Sequence, residues 1–249
     1  MNQNMIELSL DNKTFPSYLA KPEGEAKGAL IVIHEVWGLT DHIKSIADRF
    51  AAEGYLVLAP DLLYGNGIDI DALVGLQPGL FDPEKRSAVQ PKLRELMAPI
   101  QAPEFAEVTL NKTQVCFDYL SSLPNIDGRV GITGFCFGGS YSFSLAVHQP
   151  KLKVAIPYYG HADFTVEQLK NINCPVLAFY GENDENLMNS LPDLKEKMTQ
   201  AGVNFTAQVY KDCGHAFFND TNKFTYNPVA ANDAWNKTLK LLGSVFSKT

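Results

Sequence analysis

Four titratable side chains, Glu35, Cys136, Asp184 and His215, each stand just past a short apolar run that reads as a β-strand. Cys136 anchors the pattern. It lies in Val130-Gly131-Ile132-Thr133-Gly134-Phe135-Cys136-Phe137-Gly138-Gly139-Ser140, an apolar run that breaks at Gly134 and restarts as a small-residue helix. Strand, sharp turn and helix with a nucleophile at the apex form a nucleophile elbow, here Gly-x-Cys-x-Gly with a thiol replacing the hydroxyl. The glycines have a steric task, because strand and helix approach closely around a strained residue. The helix start aims N–H groups and a positive dipole end at Cys136, which favours anionic species. The plainer alternative is a buried cysteine packed as a small hydrophobe.

Asp184 and His215 complete the order nucleophile, acid, histidine, which is the order of the α/β-hydrolase triad. A thiol is only partly ionised near neutral pH, so an imidazole is needed to take its proton and later return one to the leaving group. A carboxylate on the second ring nitrogen fixes the tautomer and stabilises imidazolium. Glu182 and Glu185 compete with Asp184 for that place, and Asp184 could instead be a helix cap.

The elements that must position these groups alternate. Met5–Leu10 and Thr14–Ala20 read as an edge hairpin, and Gly28–His34 as a strand covered on both faces. Thr40 caps a helix with Ile43, Ile46, Ala47 and Phe50 on one side, stopped by Gly54. Tyr55–Ala59, Lys153–Tyr159, Pro175–Tyr180 and Phe205–Tyr210 are further strands. Helices are expected over 104–120, from the elbow to His148, near 191–200 and over 229–246. The fold class is therefore α/β, with a mostly parallel central sheet and helices on both faces. One domain is expected over 1–249, interrupted by a Gly/Pro-rich insertion or lid at about 62–103 that holds at most short helices around 83–97. Cys116 falls on a core stripe and reads as packing.

The formal net charge is −7 with no dense Lys/Arg block, which argues against nucleic acid and anionic membranes as partners. Met1–Leu10 lacks a basic-then-apolar leader, and no run approaches the ~20 apolar residues that span a bilayer, so a cytoplasmic protein is expected. Four cysteines without CxxC spacing, and His34-Glu35 without a second histidine at the zinc-protease spacing, suggest no metal and no disulfide framework. No cofactor is expected. A monomer or homodimer acting on a small molecule fits this profile.

The segments His34-Glu35-Val36-Trp37-Gly38-Leu39, Ala59-Pro60-Asp61-Leu62, Gly134-Phe135-Cys136-Phe137-Gly138-Gly139, Tyr158-Tyr159-Gly160, Gly181-Glu182-Asn183-Asp184 and Gly214-His215-Ala216-Phe217 occur in this order. Together they resemble the dienelactone hydrolase (carboxymethylenebutenolidase) family of α/β-hydrolases. The resemblance implies a Cys136-His215-Asp184 triad, an oxyanion hole from the Phe137 and Val36 N–H groups, and a Glu35 that holds the resting thiol. It implies cleavage of an ester or lactone through an acyl-thioester, with a broader carboxylesterase or thioesterase, or a non-catalytic thiol sensor, as alternatives. Trp37, Arg86, Phe217 and Asn219 are the residues expected to face substrate. Family members that cleave dienelactone carry an arginine a few residues after the histidine. Here Ala216-Phe217-Phe218-Asn219 follows instead, leaving Arg86 as the candidate cation.

Overall fold

The computed structural model describes residues 4–247, so the first residues of the polar Met1–Leu10 stretch lie outside the described residues. The described residues form eight strands: β1 (Met5–Leu10), β2 (Lys13–Ala20), β3 (Ala29–Ile33), β4 (Leu56–Pro60), β5 (Val130–Phe135), β6 (Val154–Tyr158), β7 (Val176–Gly181) and β8 (Phe205–Tyr210). They form one sheet in the order β1-β2-β4-β3-β5-β6-β7-β8. The β1–β2 and β2–β4 pairs are antiparallel, and every pair from β4 onward is parallel. The hairpin closes through Asp11 and Asn12 at φ 49° and 63°. That pair of left-handed residues matches the twist of the strands it joins.

All five β3 residues are fully buried, so both sheet faces must be covered there. Helix α1 (Asp41–Ala52) packs on β2, β3 and β4 through its apolar stripe. Helix α4 (Pro103–Ser121) also packs on β3 and β4 and takes the opposite face, beside α5 (Phe137–His148). Helix α8 (Pro228–Phe246) joins α1 where Trp235 meets Phe50 with ring centres 4.3 Å apart. Cys116 is wholly buried on α4, and burial pushes its thiol far up. Among the described residues no helix is long and apolar enough to cross a membrane.

Three expectations change. The 62–103 segment is more regular than its composition suggests. Helix α2 (Ile70–Phe81) runs for 12 residues behind an Asp69 cap that accepts the Ala72 N–H at 2.9 Å. Helix α3 (Arg86–Leu96) packs against it, and a 3₁₀ turn follows at Ala98–Gln101. Pro78 and Pro91 stand inside these helices. Each removes one intrahelical bond, which an exposed helix can replace with water, so the prolines mask helices without preventing them. After the short helix α6 (Val166–Leu169), helix α7 (Glu185–Gln200) likewise starts at Glu185 rather than near 191, with Pro192 inside it. Thr40 stands at the N-cap position of α1, but contrary to expectation its side chain makes no capping bond.

Candidate active site

Strand β5 delivers Cys136 to the start of α5 at φ 55° and ψ −109°. A non-glycine residue held there carries roughly 1–3 kcal/mol of backbone strain, which the surroundings must offset. They do so by close backbone packing. The Cys136 N–H donates to Tyr158 O at 3.0 Å and the Gly138 N–H to His34 O at 3.1 Å. A Cβ on Gly138 would fall 2.3 Å from Ile33 O, so β3 and α5 could not meet if that residue were anything but glycine.

His215 follows β8 and Asp184 follows β7, and the two chain ends meet beside the elbow. The His215 Nδ1 lies 2.5 Å from Asp184 Oδ2, and Cys136 stands near enough to the imidazole to raise its pKa. The other Asp184 oxygen accepts the Leu187 N–H at 3.5 Å and caps α7. Helix cap and histidine partner are therefore the same residue. Glu182 accepts the Asp212 N–H instead and does not reach the imidazole. Burial alone would pull His215 down, but the charge on Cys136 and the bond to Asp184 outweigh it and hold the imidazole well above its ordinary 6.5. The ring still presents 42% of its side chain to the pocket.

Glu35 is almost wholly buried, and desolvation raises its carboxyl above the ordinary 4.5 against the pull of His215 and two hydrogen bonds. Those bonds come from Asn219 Nδ2 at 2.8 Å and the Tyr159 hydroxyl at 3.4 Å. Glu35 thus lines the cavity together with Cys136, held by Asn219 and Tyr159. The Asn219 carbonyl accepts from the Thr221 N–H and hydroxyl, which orients its amide nitrogen toward Glu35.

A cavity of about 520 Å³ lies over these groups. Glu35, Val36, Trp37, Cys136, Asp184 and His215 contribute from the sheet side, and Leu80, Phe81, Arg86 and Leu93 from α2 and α3 form the roof. Trp37 meets Phe81 edge-on at 5.8 Å. The Arg86 Nε donates to Leu80 O at 2.9 Å. Two sequence expectations are corrected. Phe217 is fully buried between Tyr159 and Tyr210, beneath the pocket rather than in its wall. Asn219 is 2% exposed and spends its amide on Glu35, so it does not face substrate. A hollow of about 600 Å³ beside the start of β5, walled by Asn125, Asp127 and Arg129, has no cysteine or histidine in its lining. Among the described residues no cluster of three or more His, Cys, Asp or Glu is placed to hold a metal ion.

The sequence profile of the Dienelactone hydrolase family matches residues 15–246. The chain belongs to the dienelactone hydrolase family. A relative from Saccharolobus solfataricus named "Putative carboxymethylenebutenolidase" is 32% identical over 94% of this chain and 96% of its own length. A protein of the same name from Escherichia coli K12 is 29% identical over 90% and 80%. Among solved structures, the "Putative Dienelactone Hydrolase" of Klebsiella pneumoniae superposes with a TM-score of 0.80 at 25% identity, over 96% of this chain and 97% of the other. Est1E from Butyrivibrio proteoclasticus shares the fold at TM-score 0.62 and 14% identity, over 97% of this chain and 100% of the other. This member of the family is thus a carboxylic-ester hydrolase with the α/β-hydrolase fold. Tyr159, which holds Glu35 and packs 5.0 Å from the His215 ring, is a site residue that sequence reasoning left without a role. Its place in Tyr158-Tyr159-Gly160, just past a buried strand, was the available signal.

Proposed function

We propose that this dienelactone hydrolase family member cleaves a small ester or lactone by attack of Cys136, through an acyl-thioester. One observation carries the reading: the His215 imidazole is bound to Asp184 through Nδ1 and lines the same cavity as Cys136. The Cys136 thiol gives its proton to His215 as its sulfur adds to the substrate carbonyl carbon, and the C–O π pair moves onto oxygen. The Phe137 and Val36 N–H groups, which have no acceptor among the described residues, receive that oxyanion and stabilise it only as charge develops. Collapse expels the alcohol, protonated by His215. A water then gives its proton to His215 and attacks the thioester carbon, releasing acid and restoring the thiol. Asp184 keeps the ring oriented and balances its charge throughout.

In this reading the 62–103 segment is a roof over a single hydrolase domain, and its Arg86 meets any anionic end of the substrate. A nitrophenyl ester tests the assignment. Wild type should release a stoichiometric burst of nitrophenol and then turn over, whereas Cys136→Ala should show neither while keeping its fold. Turnover by Cys136→Ala at the wild-type rate would remove Cys136 from the chemistry.

A further inference from the structure

His34 touches neither the cavity nor the reacting groups, yet three parts of the site meet on it. The side chain is fully buried at the end of β3. Its Nε2 lies 3.0 Å from the Leu62 N–H. A backbone N–H can only donate, so Nε2 carries the lone pair and the ring proton sits on Nδ1. That Nδ1–H then donates to Glu35 O, 2.5 Å away. Burial pulls the imidazole pKa down, which keeps this neutral tautomer in place.

The consequence lies one bond further on. Glu35 O also accepts the Gly38 N–H at 3.3 Å, so two donors fix the plane of the Glu35–Val36 peptide. In a planar trans peptide the N–H points opposite to the C=O. Fixing Glu35 O toward His34 therefore turns the Val36 N–H away from it, on a residue that lines the cavity with Cys136. The second donor is tied to the same residue. His34 O accepts from Gly138 in the first turn of α5, and the His34 ring stacks on Phe137 at 5.6 Å and 4°. The third contact, Leu62, opens the segment that leads to the roof, where Lys112 Nζ holds Tyr64 O at 2.6 Å.

We propose that His34 is a positioning residue for the oxyanion hole: its Nδ1–H locks the Val36 N–H in place, and its Nε2 registers that peptide against the root of the roof. The proposal rests on the Cys136 mechanism above. Three variants separate the two ring nitrogens. Asparagine keeps a donor near the Nδ1 position, glutamine keeps an acceptor near Nε2, and leucine keeps neither. With a nitrophenyl ester, His34→Leu and His34→Gln should lose tenfold or more in kcat with KM within about twofold. His34→Asn should recover most of that loss.

A second readout isolates the hole. A trifluoromethyl ketone takes the Cys136 sulfur at its carbonyl carbon, with the π pair moving to oxygen and no group leaving, so its affinity reports oxyanion stabilisation. Iodoacetamide alkylates the same sulfur, expels iodide and forms no oxyanion. Ketone affinity should fall in parallel with kcat in His34→Leu and His34→Gln, while the alkylation rate stays at the wild-type value. Loss of alkylation equal to the loss of kcat, or equal kcat in the Asn and Gln variants, would overturn the proposal. If His34→Leu does not fold, the Asn and Gln pair decides alone. Wild-type turnover by Cys136→Ala would sink the underlying mechanism instead, a separate result.

Discussion

One Asp184 carboxylate serves both a helix and a histidine, Oδ1 on the Leu187 N–H and Oδ2 on His215. The cap anchors the carboxylate on α7, so it reaches the imidazole already oriented. Substrate charge is decided at the same scale. Asn219 is buried against Glu35, which leaves Arg86 as the permanently charged cation in the cavity wall. With Nε held by Leu80 O, the guanidinium fork is set before substrate arrives. Arg86→Gln should therefore lower kcat/KM for a carboxylated lactone by roughly ten- to a hundredfold, the equivalent of about 1.5–3 kcal/mol for a charge-assisted contact. A matched neutral lactone should be little affected. Equal losses on both would make Arg86 a strut of the roof and nothing more.

The elbow shows what an element costs and returns. Gly138 lets α5 approach β3 to a distance where a methyl would strike the Ile33 carbonyl. Gly138→Ala should destabilise the protein by about 3 kcal/mol or more, since neither backbone can shift freely, and urea unfolding would read this directly. Cys136→Gly should move the other way or stay level. It relieves a positive φ worth roughly 1–3 kcal/mol while adding backbone freedom to the unfolded chain. A large loss of stability in Cys136→Gly would mean the surroundings hold the elbow without strain.

At the scale of the whole molecule, pH dependence separates the site from the rest of the fold. Glu35 and His215 both have raised values in the folded state. Each therefore contributes stability that is complete below its ordinary value and fades as pH climbs through the raised one. For Glu35 the fade begins above about 4.5, and for His215 above about 6.5. His34 and His42 are lowered by burial and act in the opposite sense, favouring the fold above the ordinary imidazole value. Glu35→Gln removes one of these contributions without a change of shape. The Tm difference between Glu35→Gln and wild type should therefore shift in favour of the variant as pH rises from about 4.5. A difference that is flat with pH would mean Glu35 is not held raised by burial.

Much of this architecture was legible along the chain. Gly28–His34 and Tyr55–Ala59 are apolar runs that only a two-sided sheet can bury, and they became β3 and β4. The elbow, Asp184 and His215 could be read because each sits at a strand end in a fixed order, and strand ends of a parallel sheet share one edge. The helices of the 62–103 segment were hidden because proline content argues against helix locally, while packing of α2 on α3 and the Asp69 cap decide for it. The partners of Glu35 and the burial of Phe217 and Asn219 depend on contacts across 124 and 184 residues of chain for Tyr159 and Asn219 respectively. No local pattern encodes such contacts. The sequence by itself determined which groups reach the edge of the sheet. Only the tertiary structure decided which way each one turns there, because that is settled by the hydrogen bonds left once the core has closed.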